Sequence, residues 1–239
     1  MPSDTPPEVD DRRERTRILD VYGAYERDAS RIRAWRQGEA VRFMRATKWN
    51  AVRRLLDVQQ IRSGTGIALD LGAGDGADGQ HLLELGWRPE QYLAVDLRPD
   101  GMRRIRSGSP GILCAAAQAS RLPLPDASLG CVHQSTMVSS ILSEPRREEV
   151  YGEIRRVLAS GGIFISYDMR RRNPWNPNTR PVTERELRRA FAGWGMRSVH
   201  LTALPPLMRL LGRIGPGACR LAEAVPFLRT HLLFLARKP

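Results

Sequence analysis

From Ile67 onward, short apolar runs alternate with longer stretches of mixed polarity. The runs predict strands over 67–71, 91–96, 112–115, 129–133, 162–168, 196–203 and 229–236. Short apolar runs bounded by glycine or proline suit buried strands, and helical stretches between them imply a mainly parallel sheet with helices on both faces. Before residue 63 the period is helical instead. Leu19, Tyr22, Tyr25 and Ala29 recur at helical spacing, and Val41, Met44, Trp49, Val52, Leu55 and Leu56 form a second stripe. Two helices over 12–62 with a break near Gly38 follow, forming an N-terminal helical cap. Ser63-Gly64-Thr65-Gly66 ends them, and 63–239 reads as the main domain.

Two later segments break the alternation. Residues 170–181 hold three prolines (Pro174, Pro177 and Pro181), which exclude a helix and leave a loop after the fifth strand. Thr183, with Glu186 three positions on, then makes a capping box for a helix to Phe191. Residues 204–226 read as an insertion of two short amphipathic helices, broken at Gly212 and by Gly215-Pro216-Gly217. Their apolar faces suit packing on the sheet or the N-terminal helices, a lid over an apolar small substrate, or a patch resting on membrane. Residues 1–11 are polar and proline-rich and are expected to be a disordered tail. They lack the apolar core of a secretion signal, and no apolar run reaches the roughly 18 residues of a membrane span. A cytoplasmic enzyme is expected.

Composition changes little in this picture. The chain has 239 residues, enough for one large domain, and 41% hydrophobic residues. Cys114, Cys131 and Cys219 form no C-x-x-C pair, and the four histidines are scattered, so no metal site is expected. The net charge of +12 raises a nucleic-acid reading. However, residues 181–239 carry ten basic and three acidic side chains, whereas 64–130 carry six basic and eight acidic ones. The basic side chains are 36 Arg against 2 Lys, a skew that a GC-rich genome produces without selection for binding. The pairs Arg103-Arg104, Arg146-Arg147 and Arg155-Arg156 fall on predicted helices and are expected on solvated faces. Arg170-Arg171-Arg172 follows the fifth strand and is placed at the mouth of any site there.

The chemistry gathers at the first strand end, Leu69-Asp70-Leu71-Gly72-Ala73-Gly74-Asp75-Gly76. Three glycines at alternate positions let a turn bring its backbone against a ligand. Gly74 to Gly79 also fits G-x-G-x-x-G, a dinucleotide pattern. Asp70, Asp75 and Asp78 argue against a pyrophosphate, which carboxylates repel, and suit a cationic or zwitterionic ligand.

These residues resemble the first motif of class I S-adenosylmethionine-dependent methyltransferases, within the type 11-like subgroup acting on small molecules. Tyr92-Leu93-Ala94-Val95-Asp96-Leu97 resembles the second strand, whose acid holds the ribose hydroxyls. Ala115 to Asp126 is similar to the third-strand loop, with Gln118 where many members carry an acid for the adenine amino group. Glu153 to Ile165 resembles the helix, Gly-Gly turn and fifth strand. The resemblance spans roughly Gly66 to Asp168. It implies a Rossmann-like seven-stranded sheet with an antiparallel last strand. It also implies S-adenosyl-L-methionine as cofactor, held by Asp70, Leu71, Gly72, Ala73, Gly74, Gly76, Asp96, Leu97, Gln118, Ala119 and His133.

Methyl transfer from a sulfonium needs alignment and water exclusion more than a fixed set of catalytic groups. Position alone nominates His133, Tyr167 and Asp168 at strand ends as catalytic, and Tyr22, Tyr25 and Arg170 as substrate-binding. The expected acceptor is a small molecule methylated on a hydroxyl oxygen, by a monomer or homodimer. Two alternatives stand beside this. One is an RNA methyltransferase, although His133-Gln134-Ser135-Thr136 stands where Asn-Pro-Pro-aromatic is expected. The other is a non-catalytic cofactor-binding module.

Overall fold

The computed structural model describes residues 7–28, 37–108 and 111–239. Ala29, expected in the first apolar stripe, and residues 1–6 of the expected tail lie outside them. The elements are α1 (Pro7–Arg27), α2 (Glu39–Val58), β1 (Ile67–Leu71), α3 (Gly79–Glu84), β2 (Tyr92–Asp96), α4 (Pro99–Gly108), β3 (Leu113–Ala116), β4 (Leu129–Ser135), α5 (Glu144–Val157), β5 (Leu158–Met169), α6 (Glu184–Ala190), β6 (Gly195–Ala203), α7 (Pro205–Leu211), α8 (Pro216–Ala224) and β7 (Arg229–Arg237). Helix α1 starts at Pro7, inside the segment expected to be a tail.

The seven strands form one sheet in the order β3-β2-β1-β4-β5-β7-β6. β1 to β5 pair in parallel, while β7 runs antiparallel to both β5 and β6. The expected Gly161-Gly162 turn is absorbed into β5. That strand pairs Leu158 with Leu129, then resumes at Ile163 opposite Cys131, with Gly161 at a φ of 77° taking up the irregularity.

Alternation of side chains along each strand makes two cores. Leu69, Leu71, Val95, Val132, Phe164 and Phe234 point to one face and pack with Tyr151 and Ile154 of α5 and Leu187 of α6. Ala68, Ala94, Cys131, Ile163, Leu233 and Leu235 point to the other, under Trp49, Val52 and Leu56 of α2. The region expected as a cap therefore divides. Helix α2 is a layer of the sheet, and α1 reaches the strand ends. Glu14 of α1 accepts the Leu142 N–H (2.6 Å), Arg17 donates to the Ser140 carbonyl, and the Tyr22 hydroxyl meets Ser140 Oγ at 2.7 Å.

Arg147 corrects the expectation of a solvated face, because it is fully buried. Its guanidinium donates to the carbonyls of Ile141 (2.7 Å), Arg180 (2.7 Å) and Pro181 (2.9 Å) and to Glu186. One side chain thereby ties α5 to the end of the 170–181 loop and the start of α6. The Thr183–Glu186 capping box is formed. In the 204–226 insertion, Met208, Cys219 and Ala222 pack inward on Ala40 of α2 and Ala203 of β6.

Candidate active site

A cavity of about 980 Å³ opens at the carboxyl ends of β1, β2, β4 and β5. This is where open parallel sheets place ligands. Its floor is the turn after β1. Gly72 and Gly74 sit at φ 76° and 58°, a region that disfavours side chains, and a Cβ on Gly72 would stand 2.4 Å from Met137 Cγ. The Gly72 and Ala73 N–H groups donate to the Val95 carbonyl (2.7 and 3.0 Å), and Gly74 N–H donates to Asp96 Oδ2 at 2.8 Å. The glycine turn is thus fastened to the end of β2.

Asp96 also accepts from the Arg98 N–H (2.9 Å) and Nε (3.3 Å). Arg98 continues to Glu26 of α1 at 2.7 Å and lies over the Tyr22 ring. The roof therefore hangs from the same carboxylate that faces the cavity. Tyr25 of α1 donates to Asn176 Oδ1 of the 170–181 loop at 3.1 Å. Helix α1 and that loop together cover the opening. Burial raises the Tyr22 phenol above its ordinary range, although its Ser140 bond and Arg98 oppose this.

Behind the turn lies a buried polar cluster. Asp70 receives the Tyr92 hydroxyl on Oδ2 (2.9 Å) and pairs with His133 Nδ1 through Oδ1 (2.8 Å). The β1–β4 register sets Asp70 beside His133, so both point to the α2 face. Trp49 lies against the His133 ring and donates its indole N–H to Asp78 Oδ1 at 3.1 Å. Lys48, from the same turn of α2, donates to Asp78 Oδ2 (2.6 Å) and Ser135 Oγ (3.2 Å). Burial disfavours the Asp78 charge, but Lys48 at 2.6 Å, His133 and the Trp49 hydrogen bond together outweigh it and hold the carboxyl well below its ordinary range.

Of the residues nominated as cofactor-binding, Asp70, Leu71, Gly72, Ala73, Gly74, Asp96, Leu97, Gln118 and Ala119 line the cavity. Gly76 and His133 do not. Gly76 faces Ile105 of α4, and His133 sits behind Asp70 with its buried Nε2 lacking a hydrogen-bond partner among the described residues. Among the catalytic nominees Tyr167 lines the cavity, but its hydroxyl is tied to Thr202 Oγ1 at 2.8 Å and burial pushes its pKa up. Asp168 points away from the cavity. It accepts the N–H groups of Ser139 (3.0 Å) and Met169 (2.8 Å), and burial raises its carboxyl to about 6 against those bonds. Tyr22 and Tyr25 line the cavity. Arg170 turns instead to the Arg229 carbonyl, and its neighbours Arg171 and Arg172 are the ones at the opening.

Asp75 and Asp78, the acids that the sequence sets against a pyrophosphate, line the cavity as well, and so do Lys48, Arg45, Arg98, Arg209 and His231, which the sequence does not mark as site residues. The two lysines had been counted, yet nothing in local spacing brings Lys48 of α2 to Asp78. His231 stacks on Tyr167, and burial lowers its pKa to about 4, so it is neutral near pH 7. Acids and the glycine turn surround the ends of β1 and β2. Helices α1 and α2 add cationic and apolar side chains to the lining, Lys48, Arg45, Met44, Val21 and Ile18 among them.

The donor set fits S-adenosylmethionine. Backbone N–H groups, the Asp96 carboxylate and nearby acids match a ribose diol and a cationic amino-acid end, whereas a pyrophosphate would face repulsion. Among the described residues no cluster of His, Cys, Asp and Glu is placed to hold a metal ion. Nor is any described helix long and apolar enough to cross a membrane.

Comparison with known proteins adds an independent line. Residues 69–166 match the model of a methyltransferase domain. A fatty-acid O-methyltransferase of Mycolicibacterium smegmatis is 33% identical over 106 residues, which is 44% of this chain and 37% of that protein. The aligned part thus spans little more than a third of the curated relative. Among solved structures, an S-adenosylmethionine-dependent methyltransferase from Mesorhizobium loti superposes with a TM-score of 0.59 at 18% identity, covering 80% of this chain and 97% of that one. One from Thermotoga maritima reaches 0.62 at 18% identity, covering 91% and all of the respective chains. At such identities the likeness is one of fold.

Proposed function

We propose that this chain, which carries a class I S-adenosylmethionine-dependent methyltransferase domain, methylates an oxygen of a small amphiphilic acceptor, and that the oxygen is a carboxylate. The observation that carries this is the set of side chains that α1 and α2 bring to the lining, buried Lys48 together with Arg45 and apolar Met44, Val21 and Ile18. An ammonium has three donors, and Lys48 spends two on Asp78 and Ser135, which leaves one for an acceptor anion. The fatty-acid acceptor in the name of the Mycolicibacterium relative has the same chemistry, an anionic head on an apolar body.

The state of the strand-end residues supports a carboxylate over a hydroxyl. A hydroxyl acceptor gives up a proton, which calls for a base at the reacting oxygen. His133 and Asp168 are turned away, and the Tyr167 phenol is held above its ordinary pKa. A carboxylate is already ionised near pH 7, so this chain need only bind, orient and desolvate it. S-adenosylmethionine supplies the activated methyl. In this reading Asp96 holds the ribose, Gln118 and Ala119 flank the adenine, and the turn from Gly72 to Gly74 takes the amino-acid end. Lys48 and Arg45 hold the acceptor, while α1 and the 170–181 loop exclude water. The RNA and non-catalytic alternatives gain no support from this geometry.

A matched series tests the reading. A medium-chain fatty acid, the alcohol of equal length and the corresponding amine are offered with methyl-labelled donor. The acid is expected to be turned over at least about a hundredfold more efficiently, the scale set by a site built to hydrogen-bond a group that the competitor lacks. Equal or better turnover of the alcohol would contradict it.

A further inference from the structure

The outer side of the insertion takes no part in the cavity. Met208, Cys219 and Ala222 anchor α7 and α8 from beneath. Above them Leu210, Ile214, Leu221 and Phe227 are between 58 and 77% exposed. Arg213 and Arg220 are exposed among them. Residues 204–229 contain four arginines and one acid, Glu223. That acid is turned inward, accepting the N–H groups of Thr202 and Ala203 at 2.8 Å each. The outer side is therefore apolar and positive, with no competing carboxylate of its own.

Clustered exposed apolar side chains mark an interaction surface, and their mixture with arginine suits the headgroup boundary of an anionic bilayer. The root of the same segment belongs to the cavity. Leu204, Pro205, Pro206 and Arg209 line it. The insertion therefore joins its outer side to one wall of the cavity.

We propose that α7, α8 and the turn at Phe227 dock on an anionic phospholipid bilayer, and that the acceptor passes from that bilayer into the cavity. The delivery half rests on the amphiphilic-acceptor reading above, whereas docking is measurable without turnover. The experiment is co-sedimentation of the full chain with phosphatidylcholine vesicles, with and without phosphatidylglycerol. Light scattering of the free protein is run alongside. Binding is expected only to the anionic vesicles and is expected to weaken with salt. Leu221→Glu with Phe227→Glu is expected to lower it at least about tenfold. Arg213→Gln with Arg220→Gln is expected to weaken it and flatten its salt dependence. Turnover of a soluble short-chain acid is expected to stay at the wild-type level in both double variants.

Wild-type protein left in the supernatant with anionic vesicles would overturn the proposal. So would a Leu221→Glu, Phe227→Glu variant that binds like wild type. A dimer that this variant converts to monomer, with no vesicle binding, would assign the face to a second copy and overturn it as well. Vesicle binding that responds to the variants while no acid is methylated would uphold docking and remove only the functional reading.

Discussion

Asp96 is the residue on which floor and roof converge, since it receives the glycine turn through Gly74 and the α1 anchor through Arg98. Asp96→Ala is expected to reduce donor affinity at least about tenfold by calorimetry, because a carboxylate hydrogen bond to a diol is charge-assisted. Near-native affinity would refute the ribose assignment. Lys48 and Asp78 are a buried pair at 2.6 Å. Lys48→Met strands the Asp78 charge and is expected to cost about 3 kcal/mol in urea unfolding, and adding Asp78→Asn is expected to return most of that loss. Asp168 gives a pH signature. Burial raises its carboxyl from 3.8 to about 6 in the fold. The folded chain thus binds this proton more tightly than the unfolded chain does. Its contribution is complete below about pH 4 and is lost as pH rises through 6. Relative to Asp168→Asn, which lacks this titration, the wild type is expected to lose on the order of 2 kcal/mol between about pH 4 and pH 7, measured by unfolding at each pH.

Among the elements, the strands were legible because alternation and glycine boundaries are local signals. The capping box at Thr183 was legible for the same reason. What local pattern could not supply was parity and distance. His133 is expected to end the fourth strand, but β4 runs on to Ser135, and the register of His133 with Asp70 turns it under α2 instead of into the cavity. The pairing of Lys48 with Asp78 joins positions thirty residues apart on elements that meet only in the fold. Arg147 looked like half of a surface pair, yet the carbonyls that bind it come from Ile141, Arg180 and Pro181. Arg147→Met is expected to destabilise the chain by about 3 kcal/mol, because four acceptors lose a buried donor. Faster hydrogen exchange over 170–183 would accompany it. An unchanged exchange pattern there would show that the loop is held by something else.

For the whole molecule, the two ends of the sheet divide the work. The parallel half carries the glycine turn and Asp96, where the family resemblance was strongest. The antiparallel half, with the 170–181 loop and the root of the insertion, supplies Arg171, Arg172, Arg209 and His231, while α1 and α2 bring Lys48, Arg45 and the apolar side chains to the strand ends. Family motifs are dense in the first half and sparse in the second, which is why the donor was readable from sequence and the acceptor was not. Part of the positive charge finds its place there as well, in Arg171 and Arg172 at the cavity and in Arg213 and Arg220 on the insertion. The most direct test of the account presents the purified chain with methyl-labelled S-adenosylmethionine and separate lipid, RNA, protein and small polar fractions of a bacterial lysate. The account predicts label in the organic-soluble fraction, released by mild alkali as expected of a methyl ester. Label in RNA, or organic-soluble label that survives alkali as an ether does, would contradict it.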